Sequence, residues 1–171
     1  MNKKTKPMHQ LKRTQRLPID LKTAWDFFSS PRNLSVITPP EMGFELRSEL
    51  PEKMYPGLFI TYTVRPLLGI PLTWVTEITH IREGEYFVDE QRVGPYRIWH
   101  HQHFFKEIPG GVEMTDIVDY QLPFGFLGEL AHPILVKSRL QGIFAFRHNK
   151  LIELFGTLKN SDDERNDIGD V

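Results

Sequence analysis

The residues best suited to chemistry are two histidines and an aspartate within the segment 96–122. His101 and His103 lie two positions apart, and Asp116 follows after a proline–glycine turn at 109–111. Successive side chains of a β-strand point to opposite faces, so in a strand the two histidines share one face. Asp116 alternates with apolar residues of the return segment, which places it on the same inner face. Imidazole and carboxylate groups together can orient a ligand, transfer protons or bind a metal.

The turn predicts which residues of the two strands face each other. If Pro109 and Gly110 form its centre, three inward-facing pairs follow: His103 with Asp116, His101 with Val118, and Trp99 with Tyr120. A carboxylate opposite a buried histidine raises the imidazole pKa and fixes its tautomer. A register slip of one residue would break this pairing, so the prediction depends on the turn geometry. Glu113, Thr115 and Asp119 are expected on the opposite, solvated face.

Four interpretations of this cluster remain open from the sequence. His103 and Asp116 form a buried structural pair, or they orient a ligand by hydrogen bonds. In the third, His103 acts as a general acid–base with Asp116, although the sequence offers no further base or nucleophile at a recognisable spacing. In the fourth, His101 and His103 bind a metal with Asp116 or Glu77 as the third ligand. Because no cysteine assists and no third ligand is securely placed, we expect no metal and no cofactor.

Aromatic side chains complete the predicted ligand site. Asp89 and Gln91 have the same parity as Phe87, so they enter the interior if Phe87 points inward. A few of the aromatic residues must line whatever cavity the sheet leaves open. The predicted ligand-binding residues are Trp74, Phe87, Trp99, His101, His103, Asp116 and Tyr120.

An antiparallel sheet is predicted to position these side chains. Alternating β-branched and aromatic residues, bounded by glycine or proline, indicate six consecutive strands at 42–50, 58–68, 72–82, 85–93, 96–108 and 112–122. A further strand at 8–18 precedes them. The connections between the six are too short for parallel crossovers, so neighbouring strands must run antiparallel.

Helical periodicity occurs on both sides of these six strands. Asp20 is a suitable N-cap for a helix at 21–29, and Ser30 with Pro31 begins a second short helix that ends before Pro39. A long helix is predicted from about Pro133 to Gly156, roughly 35 Å in length. Its apolar stripe consists of Leu140, Ile143, Phe144, Leu151, Leu154 and Phe155. The segment 122–130 before it is either a mobile gate or an ordinary loop.

Length and composition indicate one globular domain at 8–158 with flexible tails at 1–7 and 160–171. The chain has 171 residues, 40% of them hydrophobic and 25% charged, with a net charge of −1. This balance provides no electrostatic footprint for nucleic acid. The absence of cysteine excludes disulfides, iron–sulfur clusters and thiolate zinc sites. Because no apolar run is long enough for a signal peptide or a membrane span, we expect a cytoplasmic protein without stable membrane insertion.

The order of strand, two short helices, six strands and long helix resembles the helix-grip fold of the START-like, SRPBCC superfamily. The segments that carry the resemblance are AWDFFSSPRNLSVITPP (24–40), MYPG (54–57), WVTEITHI (74–81), FVDEQRVGPYRIWHHQHFF (87–105) and TDIVDYQLPFG (115–125). They are similar to those of bacterial ligand-binding members. The resemblance implies an α+β fold in which a curved antiparallel sheet of about seven strands wraps a long C-terminal helix, and a cavity for hydrophobic molecules. It implies no reaction, since catalysts, carriers and receptors share this scaffold.

Three functional hypotheses follow. The leading one is a carrier or sensor that binds a small hydrophobic molecule, such as a lipid, a polyketide or an aromatic or isoprenoid-like compound. The second is an enzyme of the polyketide cyclase or dehydratase kind with His103 as its acid–base. The third is a protein-interaction module with a vestigial cavity. The expected partner is a small molecule rather than nucleic acid, and a homodimer is left open.

Overall fold

Seven antiparallel strands form one sheet in the computed structural model, which describes residues 8–65, 69–123 and 136–158. In order along the chain the strands are β1 (His9–Leu17), β2 (Glu45–Leu46), β3 (Leu58–Val64), β4 (Leu72–Arg82), β5 (Tyr86–Val93), β6 (Ile98–Ile108) and β7 (Gly111–Gln121). Their order in the sheet is β1-β7-β6-β5-β4-β3-β2. Successive strands therefore pair with each other from β2 to β7, and β1 adds to the far edge of β7.

Two α-helices and two 3-10 turns complete the described chain. They are α1 (Leu21–Phe28), the 3-10 turns Pro31–Ser35 and Pro40–Met42, and α2 (Lys137–Phe155). The predicted N-cap is confirmed, since the Asp20 carboxylate accepts a hydrogen bond of 2.7 Å from the Thr23 amide. The second short helix, predicted to begin at Ser30 and Pro31, is observed as the 3-10 turn Pro31–Ser35. No helix among the described residues is long and apolar enough to cross a bilayer.

The predicted strand boundaries hold to within two residues except at two places. The strand expected at 42–50 is reduced to Glu45–Leu46, because Met42 ends a 3-10 turn and Gly43 follows with a φ of 52° that redirects the chain. The strand expected at 58–68 is observed at Leu58–Val64, and residues 66–68 lie outside the described residues. The predicted tails at 1–7 and 160–171, most of the segment 122–130 and the helix start at Pro133 lie outside the described residues.

The core lies between α2 and the sheet. Leu140, Phe144 and Leu151 are the buried apolar residues of α2. The prediction that Leu154 belongs to the apolar stripe facing the core is wrong, because this residue is 42% exposed. In the same last turn Phe155 packs edge-on against Phe27 of α1, with ring centroids 5.0 Å apart. The helix therefore contacts α1 at its C-terminal end and the sheet along its middle.

The predicted register of the hairpin β6–β7 is confirmed. His103 pairs with Asp116, His101 with Val118, and Trp99 with Tyr120. Glu113, Thr115 and Asp119 lie on the other face as expected, where they contact the β1 side chains Arg16, Thr14 and Gln10 respectively. The hairpin therefore presents its histidines and Asp116 to the interior.

Gly111 allows the start of β7 to approach the end of β1. A Cβ atom at this position would lie 2.0 Å from the Leu17 carbonyl oxygen, a separation that no side chain tolerates. Because β7 is the strand that carries Asp116, this close approach also contributes to the position of the site.

We predict that Gly111→Ala destabilises the protein by about 1–3 kcal/mol, since β1 or β7 must shift to admit the methyl group. Gly142 provides the matched control, because a Cβ there meets nothing within 4 Å and the residue lies within α2. Gly142→Ala should stabilise by about 0.5–1 kcal/mol. Urea unfolding measures both values, and equal effects of the two substitutions would contradict this account of β1–β7 packing.

Candidate functional site

Five charged or titratable side chains meet on the concave face of the sheet. Asp89 comes from β5, His101 and His103 from β6, Asp116 from β7, and Arg147 from α2. Strand alternation explains four of these positions, because each lies on the inward-facing parity of its strand. The histidines and Asp116 are buried, with 5–7% of each residue exposed.

Each imidazole lies between the two carboxylates. One hydrogen bond of 3.1 Å joins His101 Nε2 to Asp116 Oδ1, and another of 2.9 Å joins His103 Nε2 to Asp89 Oδ2. The second nitrogens lie near the opposite carboxylates: His103 Nδ1 is 2.8 Å from Asp116 Oδ1, and His101 Nδ1 is 3.5 Å from Asp89 Oδ2. The two rings are 3.8 Å apart between centroids.

The hydrogen bonds of the cluster run diagonally across the strands. Asp116 lies opposite His103, yet its hydrogen bond goes to His101; Asp89 lies opposite His101, yet it bonds His103. Among the described residues, His103 Nδ1 has no aligned hydrogen-bond partner, so its short contact with Asp116 is electrostatic. The predicted proximity of His103 to Asp116 is therefore confirmed, while a second carboxylate, Asp89, takes the hydrogen bond.

Arg147 closes the cluster from the side of the helix. Its guanidinium Nη2 lies 3.6 Å from Asp116 Oδ1. The group is also placed over the rings of Phe28 and Phe144, at 5.5 and 6.0 Å from their centroids. Sequence reasoning missed this residue. The available signal was that Arg147 lies three residues after Phe144 and four before Leu151, on the buried stripe of the helix.

The surrounding charges keep both carboxylates ionised despite their burial. Burial raises the pKa of Asp116, but the Arg147 charge, the His101 hydrogen bond and the nearby His103 outweigh it and hold that pKa well below its usual value. Burial likewise opposes ionisation of Asp89, whose pKa is nevertheless lowered by the nearby His101 and His103. Buried carboxylates remain charged only when paired in this way.

The pKa values of the two histidines are shifted in opposite directions. Burial disfavours the charged form of His103, but contacts with Asp116 and Asp89 overcome this effect and raise its pKa. The pKa of His101 is lowered, first by burial and then by the charge on His103. A proton on His103 together with the Arg147 guanidinium would balance the two carboxylates. The cluster is electrically neutral when one of its two histidines is protonated.

A cavity of about 110 Å³ adjoins this cluster. Its polar wall includes Asp89, His101, His103 and Arg147, and its apolar walls come from α1, the first 3-10 turn and the strands β3 to β5. Tyr62 and Thr76 are also among its lining residues, joined by a hydroxyl–hydroxyl hydrogen bond of 3.0 Å. Burial raises the pKa of Tyr62, so its hydroxyl remains protonated.

A second cavity of about 160 Å³ lies between α2 and the aromatic residues of β4 and β6. Trp74, Tyr96 and Trp99 line it, and their rings contact one another at 4.7–5.7 Å between centroids. His101 and Arg147 line both cavities. Each space is similar in size to the roughly 150 Å³ cavity that accommodates a benzene molecule.

The predicted ligand-binding residues divide between these spaces. Phe87, His101 and His103 line the first cavity, and Trp74, Trp99 and His101 line the second. Asp116 and Tyr120 lie behind these walls and line neither. Glu77, the alternative third metal ligand, is bound instead by Arg92 through an ion pair. Tyr62 and Arg147 are lining residues that sequence reasoning did not select.

Comparison with known proteins assigns the fold. No family model matches the sequence, and no curated protein is significantly similar to it. Among solved structures, protein Ms6760 from Mycobacterium smegmatis aligns at 19% identity and a TM-score of 0.61, covering 85% of this chain and 89% of that one. Ginseng major latex-like protein 151 from Panax ginseng aligns at 13% identity and a TM-score of 0.63, covering 86% and 97%. The chain has the helix-grip fold.

A third similar structure extends this result. Protein CV1439 from Chromobacterium violaceum aligns at 10% identity and a TM-score of 0.66, covering 88% of this chain and 99% of that one. The helix-grip fold implied by the sequence resemblance is thus confirmed, as is the sheet with its long C-terminal helix. At these identities the likeness extends to the fold and not to ligands or reactions.

We predict that Arg147→Met destabilises the protein by about 3 kcal/mol, because it leaves the buried Asp116 carboxylate without its guanidinium. Lys150→Met is the matched control on the same helix, at a side chain paired with the largely exposed Glu153, and should change stability by less than about 0.5 kcal/mol. Urea unfolding of both variants compares the two effects. Similar stabilities of the two variants would show that Arg147 does not neutralise the cluster.

Proposed function

We propose that this protein binds a small, mostly apolar molecule between the sheet and α2, as a carrier or sensor in the cytoplasm. The observation that carries the proposal is a largely apolar cavity bordered on one side by converging charged groups. Ligand sites commonly combine apolar walls with a few polar groups that fix orientation. A vestigial cavity would have no need for such an arrangement, since buried charges are costly.

Cavity size supports a ligand of about one ring or a thin chain. The two spaces, of about 110 and 160 Å³, are both smaller than the roughly 300–1,000 Å³ of a pocket for a drug-sized molecule. Because His101 and Arg147 border both cavities, a longer ligand would pass these side chains to occupy the two together. Among the expected classes, a compact aromatic molecule therefore fits better than a lipid with long acyl chains.

Polar groups within the first cavity support a ligand that carries at least one oxygen. The His101, His103 and Asp89 side chains border the space, as do the neutral Tyr62 and Thr76 hydroxyls. A ligand hydroxyl or carbonyl placed among these groups would exchange water hydrogen bonds for protein ones. Such a group would fix the orientation of an otherwise apolar molecule.

A second candidate function is acid–base catalysis of the polyketide cyclase or dehydratase kind. It is favoured by the two histidines, each hydrogen-bonded to a carboxylate and each bordering the cavity. A carboxylate that orients an imidazole is a recurrent feature of general acid–base sites. Chemical conversion of the bound molecule distinguishes this candidate from a carrier.

Native mass spectrometry of protein purified without added lipid should reveal a bound small molecule. We expect its mass to correspond to a compact, mostly apolar compound, because the cavities are small and their walls apolar. The same compound should be recovered unchanged after long incubation with the protein. Recovery of a converted product would instead favour the enzyme candidate.

We predict that His103→Ala weakens binding of 4-nitrophenol, a one-ring probe, by ten- to a hundred-fold, the cost of about 1–3 kcal/mol for losing one buried polar partner. Asp116→Asn should weaken it less, since Asp116 does not line the cavity. Quenching of Trp74 and Trp99 fluorescence reports binding. His100→Ala is the control, because His100 pairs with Glu90 away from the cluster. Equal affinities of the His103→Ala and His100→Ala variants would contradict the site assignment.

A further inference from the structure

We infer that Asp89, His101 and His103 form a site for a divalent transition-metal cation that opens onto the first cavity. One potential ligand atom from each of these residues lies within 4.8 Å of the other two. The expectation of a metal-free protein depended on the absence of cysteine and of a placed third ligand. Asp89, considered in the sequence only for its parity with Phe87, provides that ligand.

Two of the three distances between the proposed donor atoms are close to those of a metal site. Metal–ligand bonds of about 2.1 Å place neighbouring donors roughly 3.0–3.4 Å apart. Asp89 Oδ2 lies 2.9 Å from His103 Nε2 and 3.5 Å from His101 Nδ1. A cation placed among the three atoms would therefore replace the present contacts with modest movement of the side chains.

Asp116 has the position of an outer partner to both ligands. Metal-bound histidines usually direct their second ring nitrogen to a carboxylate, which fixes the ring. Of the two nitrogens left over by the proposed site, His101 Nε2 forms a hydrogen bond of 3.1 Å with Asp116 Oδ1, and His103 Nδ1 lies 2.8 Å from the same oxygen without an aligned hydrogen bond. This double use of one carboxylate is the observation, beyond the three donors, that points to a metal.

Arg147 argues against Asp116 as the metal ligand itself. Its guanidinium lies 3.6 Å from the Asp116 oxygen that faces the histidines, and a cation in that place would be repelled. Asp89 lines the first cavity with both histidines, whereas Asp116 does not. A cation held by Asp89 and the two histidines would therefore have its free coordination positions in the first cavity, whereas Asp116 borders a separate cleft between β1 and α2.

The donor set selects the class of metal. Two imidazoles and one carboxylate suit Zn²⁺ or Fe²⁺, whereas Mg²⁺ and Ca²⁺ prefer oxygen ligands alone. Three protein ligands leave at least one position for water or a ligand atom, as in catalytic rather than structural zinc sites. The inference concerns the site of the proposed function, but metal binding is measured here without any organic ligand, so either proposal can fail while the other holds.

The test is isothermal titration of Zn²⁺ into tag-free protein that has been stripped with EDTA and dialysed. We expect one Zn²⁺ per chain and no competition from excess Mg²⁺. Titration with Co²⁺ should give a visible absorption band that Zn²⁺ abolishes. Circular dichroism and urea unfolding confirm that each variant below is folded before its titration.

The variants are chosen to separate the three ligands from their surroundings. Asp89→Asn and His101→Ala should weaken Zn²⁺ binding by more than about a hundred-fold, whereas Asp116→Asn should weaken it by about ten- to a hundred-fold, as for an outer partner. His100→Ala, on the same strand but outside the cluster, should leave affinity unchanged. Asp89→Asn keeps the side-chain shape, so it remains informative if His101→Ala does not fold.

Three outcomes would overturn the inference. They are the absence of Zn²⁺ binding to the folded, stripped wild type, binding that survives both Asp89→Asn and His101→Ala, and a larger loss from Asp116→Asn than from Asp89→Asn. The last would move the ligand role to Asp116. Binding of 4-nitrophenol in the presence of EDTA is measured in parallel, and its presence or absence bears on the proposed function alone.

Discussion

Charge compensation within a buried cluster is the constraint on which the rest of this interior depends. Asp89 and Asp116 are ionised within a largely apolar core, and transfer of an unpaired carboxylate into such a core is prohibitively costly. The compensating interactions come from the two histidines of β6 and from the Arg147 guanidinium of α2. Three strands and the long helix must therefore keep their relative positions for the charges to remain paired. The position of α2 across the sheet is tied to the site by this requirement.

The same cluster determines how the interior is divided. His101 and Arg147 border both cavities, so apolar space lies on two sides of a polar centre. The first side has two hydroxyl groups, Tyr62 and Thr76, while the second is dominated by Trp74, Tyr96 and Trp99. The interior thus favours a ligand with an aromatic or aliphatic body and one polar group, which would lie near the histidines. A cation bound by Asp89 and the two neutral imidazoles would add a further anchor for an oxygen atom without altering the apolar walls.

Much of the fold could be predicted from the sequence because its signals are local. Alternation at period two and the bounding glycines and prolines gave strands close to those observed, and the turn at 109–111 gave the β6–β7 register that brings His103 opposite Asp116. The length of the strand expected at 42–50 was overestimated because alternation reports neither the 3-10 turn that ends at Met42 nor the irregular pairing after Leu46, where the Arg47 and Ser48 amides both bond the Thr61 carbonyl. The apolar stripe of the helix likewise overestimated the burial of Leu154.

The remainder of the site depends on tertiary geometry that no local pattern reports. The β4–β5 pair contains register shifts next to Thr76 and between Ile78 and His80, so the inward parity of Asp89 could be stated only conditionally from Phe87. From the sequence alone, an arginine such as Arg147 is expected to be exposed to solvent. Only the position of α2 relative to Asp116 shows that it faces the interior. Cavity volume depends on how large side chains interlock, which composition does not determine.

A crystal structure of the protein as purified, at a resolution that reveals small molecules, would test the central claim most directly. The account predicts electron density for a compact non-protein molecule bordered by Phe87 and Ile60, with a polar atom within hydrogen-bond distance of His101 or His103. Side chains that fill this space, or a ligand bound away from the histidines, would contradict it.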